Sequence, residues 1–141
     1  MILPDVNVLL YAFRKDSVRY EQARGWLEDT VNGAEPFGIS PQTLASLIRI
    51  STNRRIYPNP SSLAEALDFS ATLLKAEHCT PIQPGRRHWA IFEDLCRTLK
   101  ATGNLVQNAW FAALAIEAGC EWITTDRDYS RFPGLRVREP F

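Results

Sequence analysis

The chain has 141 residues, 45% apolar and 23% charged, which is the composition of an ordinary globular domain long enough to bury a core. Sixteen basic and sixteen acidic residues cancel. That excludes a general nucleic-acid coat protein, which would be basic throughout, and leaves room for a local basic groove. No apolar run approaches the ~20 residues of a membrane span, and the N-terminus carries no secretory pattern. Cys79, Cys96 and Cys120 stand alone, in no metal-binding spacing, and read as reduced thiols in the cytoplasm.

Ile2–Leu3 reads as a short buried strand that delivers Asp5 to its carboxyl end. Asn7 is placed to cap the helix carrying Val8, Leu9, Leu10 and Ala12. Tyr20–Val31 is amphipathic, with Ala23, Trp26, Leu27 and Val31 on one face, and Asn32-Gly33 ends it. Pro36–Ile39 is a second strand. Ser40-Pro41 then opens a helix in the N-cap/N1 arrangement, running to about Thr52. Ser61–Ala76 is helical by period, and Cys79–Ile82 is a third strand. Arg86–Lys100 is a helix with Trp89, Ile91, Phe92, Leu95 and Leu99 as its apolar set. Gly103 breaks the chain, and Asn108–Ala118 is an Ala-rich helix suited to close packing on a sheet. Glu121–Thr125 is the fourth strand, Tyr129–Phe132 a turn of helix, and Leu135–Arg138 the last strand after Pro133-Gly134. No repeat or linker interrupts this order, so residues 1–141 read as one domain. Alternating strands and helices predict three layers, α/β/α, around a mostly parallel sheet of about five strands.

In open sheets of this kind, ligands bind beyond the carboxyl ends of the strands. Asp5, Asp126 and Asp128 all fall there. A lone Asp after a buried strand is as readily a helix cap as a ligand. Asn7 competes for the cap and so frees Asp5. Asp126 and Asp128, at i and i+2, either form a turn through side-chain hydrogen bonds to backbone or face one site with Asp5. Gln42, Ser46, Arg49 and Asn53 form one helical stripe. It faces water, or it turns Ser46 and Arg49 toward the site, where Arg49 would bind a phosphate or steady a carboxylate. Asn108 is either a cap or a neutral donor.

Four segments, taken together, resemble the PIN-domain ribonucleases and specifically the VapC-type toxins of bacterial toxin–antitoxin pairs. They are Leu3-Pro-Asp-Val-Asn-Val-Leu-Leu-Tyr-Ala12, Ile48-Arg-Ile-Ser-Thr-Asn53, Gly103-Asn-Leu-Val106 with Ala113-Leu-Ala-Ile-Glu-Ala-Gly119, and Thr125-Asp-Arg-Asp-Tyr-Ser-Arg-Phe-Pro-Gly-Leu135. The resemblance implies a PIN-like fold and a Mg²⁺-dependent endoribonuclease, with Mn²⁺ as a substitute. It also implies a homodimer silenced by a cognate antitoxin. Asp5 matches the family's first metal-binding Asp, Asp126 a later acid, and Asp128 an auxiliary acid nearby. Asn7 and Thr125 match polar positions that order the site. Ser46 stands where the family usually has a Glu, and Asn108 where it usually has an Asp that binds metal. Metal would then rest on Asp5, Asn108 and Asp126, and catalysis on Asp5, Asp126 and Asp128. Arg49, Arg54 and Arg127 are the first candidates for the RNA backbone, with Arg14, Lys15 and Arg55 beside them. Trp89 and Trp110 read as packing residues more readily than as platforms for bases. The two lost acids imply a weakened nuclease. The competing expectation is a non-catalytic module that binds RNA or a protein.

Overall fold

The computed structural model describes residues 1–141. Five strands form, each only two or three residues long: β1 (Ile2–Pro4), β2 (Phe37–Ile39), β3 (Cys79–Pro81), β4 (Glu121–Ile123) and β5 (Val137–Arg138). Six helices alternate with them: α1 (Val6–Phe13), α2 (Tyr20–Asn32), α3 (Pro41–Ser51), α4 (Leu63–Leu74), α5 (His88–Leu99) and α6 (Asn104–Ala118). A 3-10 turn at Arg127–Arg131 precedes β5. Every strand pair is parallel, as the alternation requires. The strands divide into a three-stranded sheet, β1-β4-β5, and a two-stranded one, β2-β3, where the sequence suggested one sheet of about five. β2 nevertheless lies against β1. A Cβ added to Gly38 would sit 3.2 Å from the Ile2 carbonyl oxygen and 3.4 Å from Leu3 Cδ1. The backbones meet there by close packing, without a hydrogen-bond ladder.

The two-residue period of the strands sends their side chains to two cores. Leu3 and Trp122 join Phe111, Leu114, Tyr129 and Phe132 on the face covered by α5 and α6. Ile2, Phe37 and Ile39 point the other way, into Leu9, Leu27, Leu44, Leu47 and Leu73 of α1 to α4. These are the three layers expected. The buried alanines of α6, Ala109, Ala112, Ala113 and Ala115, allow this helix to pack closely with apolar surface on most of its sides.

Helix starts follow local chemistry. Ser40 caps α3, its hydroxyl accepting from the Thr43 N–H, with Pro41 at the first helical position. Ser62 and Glu65 form a reciprocal capping box at α4. Two expected boundaries differ. Asp5, not Asn7, is the N-cap of α1. And α6 begins at Asn104, a full turn before Asn108, because Gly103 takes up the break alone, at φ +58°.

Gly38 is where a side chain has no room, since its Cβ would also approach Ile82 Cγ1 to 2.8 Å. Gly38→Ala is expected to destabilise the fold by about 1–3 kcal/mol, read as a lower denaturation midpoint in urea with an unchanged slope.

Candidate active site

Asp5 directly follows β1, and its N–H extends the ladder to the Ile123 carbonyl oxygen at 2.8 Å. Both of its carboxylate oxygens are engaged. Oδ1 accepts the Val6 N–H at 2.6 Å, and Oδ2 accepts the Thr124 hydroxyl at 2.7 Å. Thr124 Oγ1 in turn accepts the Asp126 N–H at 3.0 Å and Asn7 Nδ2 at 3.3 Å. Asp126 Oδ1 takes the Asp128 N–H at 2.9 Å and so caps the 3-10 turn. One buried hydroxyl therefore ties Asp5, Asn7 and the start of the Asp126 loop together at the carboxyl edge of β1 and β4.

The sequence reading gave the ordering role to Thr125; the side chain that holds the network is Thr124, 1% exposed. Adjacent residues leaving a strand face opposite ways, so the pairing of β4 with β1 decides between two identical side chains. The Thr124-Thr125 pair was the available signal, without the register needed to choose. Asp126 is half-buried and Asp128 exposed. Ser46 and Asn108 are half-buried and Arg49 is exposed, and none of the three is hydrogen-bonded to Asp5, Asn7, Thr124 or Asp126. α6 leads into β4 and packs on it through Phe111 and Trp122, whose rings stack at 5.5 Å. Asn108 lies in α6, three residues before Phe111.

Electrostatically the site is short of positive charge. Burial pushes the Asp5 carboxyl up to about 6. The hydrogen bonds from Thr124 and Val6 oppose that rise, and the charge of Asp126 adds to it. The Tyr129 phenol is raised by burial and by the same two carboxylates. None of the ion pairs involves Asp5, Asp126 or Asp128. Asn7 Oδ1 is buried and has no hydrogen-bond partner. Two interacting carboxylates beside an unpartnered amide oxygen are a donor set for a hard cation. No three His, Cys, Asp or Glu side chains gather anywhere in the chain as a metal-binding group. The residues present thus fit a divalent ion held partly by neutral oxygens.

A family model described as "PIN domain" matches residues 2–135. The chain belongs to the PIN-domain family. This PIN domain is 40% identical over 140 residues to Ribonuclease VapC43 of Mycobacterium tuberculosis, covering 99% of this chain and 95% of that protein. It is 37% identical over 141 residues to Ribonuclease VapC25 of the same organism, covering 99% of each. The fold matches the structure of VapBC2 from Rickettsia felis bound to a DNA fragment from its promoter, with a TM-score of 0.71 at 19% identity over 99% of this chain and 98% of that one.

The raised Asp5 carboxyl makes the metal-free PIN domain sensitive to pH. Unfolded, Asp5 titrates near 3.8; folded, near 6. Between these values the folded state holds the extra proton, so this group's contribution favours folding at low pH and is lost as pH rises through 6. A shift of about two pH units corresponds to about 3 kcal/mol. In chelator, Asp5→Asn should therefore gain about 2–3 kcal/mol relative to the unmodified chain between pH 4 and pH 7, measured by denaturant unfolding at both values. A constant difference would show that Asp5 titrates normally.

Proposed function

We propose that this PIN domain is the toxin of a type II toxin–antitoxin pair, a Mg²⁺-dependent endoribonuclease that hydrolyses RNA phosphodiester bonds in the cytoplasm. The observation that carries the reading is the buried Asp5 carboxylate, held by Thr124 next to Asp126 at the carboxyl edge of a parallel sheet. Full-length similarity to proteins named VapC ribonucleases supports it. Asp5 and Asp126 would hold the ion, with the amide oxygens of Asn7 and Asn108 as neutral donors. The ion supplies Lewis-acid activation of the phosphodiester and makes water more acidic. The exposed Asp128 is available to orient the attacking water or accept its proton. Arg49, Arg54 and Arg127 are exposed and paired with no carboxylate, which suits them to backbone phosphates. The neutral amide of Asn108 leaves the ion one carboxylate fewer, so binding is weak and turnover slow.

Silencing by a cognate antitoxin, and assembly as a homodimer, need apolar surface. Leu63 and Leu67 stand 59% and 48% exposed on α4, two residues that a partner chain would cover. The solved relative from Rickettsia felis is itself a VapBC complex. No helix is long and apolar enough to cross a membrane.

Asp5→Asn is expected to abolish Mg²⁺-dependent cleavage of RNA, and EDTA should do the same to the unmodified chain. Cleavage that persists in EDTA would sink the metal mechanism. Asn108→Asp should work in the other direction. Even groups that only order metal ligands command roughly 10- to 100-fold in affinity, so restoring a ligand charge should tighten Mg²⁺ binding by about tenfold or more and raise the cleavage rate. Calorimetry and cleavage kinetics on the same preparations check both effects. An Asn108→Asp protein that binds no better would place residue 108 outside the ion's reach.

A further inference from the structure

One stripe of α1, Asn7, Leu10 and Tyr11, together with the C-cap residue Arg14, lines a cavity of about 340 Å³ that Tyr57 also lines. The spacing i, i+3 and i+4 puts the first three on one face of the helix. At one end of the stripe Asn7 already belongs to the acidic site through its hydrogen bond to Thr124. At the other end Arg14 is 8% exposed. Its guanidinium donates to Asp16, to the Asn59 carbonyl oxygen at 2.9 Å and to the Ser61 hydroxyl at 3.0 Å. It also lies 4.0 Å from the centre of the Tyr57 ring. An arginine fixed at so many points is not free to take a phosphate, and its guanidinium covers one face of the Tyr57 ring. The sequence analysis grouped Arg14 with the phosphate-binding candidates; the structure makes it a support.

We propose that this cavity is a subsite for one unpaired RNA base, that of a nucleotide adjoining the phosphate bound at the acidic site. The identity of the strand rests on the ribonuclease reading above. The volume suits a single nucleoside, and the lining has the chemistry for it. Tyr11, Tyr57 and Leu10 offer apolar and aromatic surface for a base, and aromatic stacking accepts any base through its π-face. Ser17 lines the cavity too, a hydrogen-bonding group that can prefer one base edge over another. Exposed Arg54 and Arg55 occupy the turn that ends at Tyr57, where the Tyr57 N–H bonds the Asn53 carbonyl oxygen at 3.0 Å. Neither pairs with a carboxylate, so cations for the backbone flank a slot for the base. A protein partner has more exposed apolar side chains elsewhere, at Leu63 and Leu67. The continuity with Asn7 fixes the register. A base seated here positions its neighbouring phosphate at Asp5 and Asp126, so the cavity is a specificity-determining element.

A coupling experiment tests this. Single-stranded RNA tetramers, each with one abasic residue at a different position, are titrated by fluorescence anisotropy. The proteins are the unmodified chain, Tyr57→Ala and Tyr57→Phe, all in EDTA so that nothing is cut. Cleavage by the same proteins is then mapped in Mg²⁺. At one position, the abasic residue is expected to weaken binding to the unmodified chain by about 5- to 100-fold, the range of base–aromatic stacking. The same abasic residue should cost less than about twofold in Tyr57→Ala, because the stack is already gone. Tyr57→Phe should behave like the unmodified chain. The cleaved bond should adjoin that nucleotide. Equal costs at that position in all three proteins would overturn the subsite, as would abasic penalties spread evenly over the tetramer. The subsite and the nuclease fail separately. Coupling without cleavage keeps the subsite and removes the nuclease, and cleavage without coupling does the reverse. If the tetramers neither bind nor are cut, both fall. If instead a peptide of a protein partner occupies the cavity and displaces no RNA, the surface belongs to that partner.

Discussion

The Thr124 hydroxyl donates to Asp5 Oδ2 across 119 residues of chain. The same oxygen accepts the Asp126 N–H and the Asn7 amide. A hydroxyl has one proton to give and two lone pairs to fill, and here all three are used. This fixes the direction of every bond in the network, since the proton can go only to the carboxylate. The oxygen is buried, so water offers no alternative, and a missing partner would leave an uncompensated polar group. Everything at the carboxyl edge is arranged around that constraint. β1 and β4 must pair in the register Leu3↔Trp122 to bring the two ends together. Trp122 must be buried against Phe111 and Tyr129 to hold that register.

The surroundings of Asp5 favour function over stability. A buried carboxylate with no cation beside it is a poor choice for a fold, and its raised pKa expresses that. The chain as a whole is electrically neutral, so the deficit is local. None of its cations pairs with the acids of the site. Arg14 is locked to Asp16 and to backbone, while Arg49, Arg54 and Arg127 stand in solvent.

Much of this was legible in the order of residues because it rests on local chemistry. Ser40-Pro41 announces a helix start wherever it occurs, and the alternation of strands and helices dictates parallel pairing. That pairing sends Asp5 and Asp126 to one edge. What the order of residues did not reveal depends on register and on backbone proximity. Thr124 and Thr125 are chemically identical until β4 is laid against β1. Asp5 and Asn7 compete for one helix end, and Asp5 wins because its N–H is already tied to Ile123, which fixes its carboxylate over the first turn. The division of the sheet between β1 and β2 comes from three-residue strands meeting at Gly38, a contact that no periodicity records. The role of Arg14 is similar: its partners Asn59 and Ser61 lie in a turn more than forty residues away, and nothing in the local charge pattern separates a staple from a phosphate ligand.

The two cores lie on opposite faces of the sheet. Asp5 sits where α1, with the α1-to-α4 core behind it, leaves β1. Asp126 and Asp128 begin the turn anchored by Tyr129 and Phe132 in the other core. The two halves of the site are joined at this edge by the ladder from Asp5 to Ile123 and by one hydroxyl. Leu3 of β1 packs in the same core as Trp122 and Tyr129, so the pairing of β1 with β4 sets the spacing of the acids. The site is thus a seam between two helical layers, and its alignment is a property of the strand register and not of either core alone.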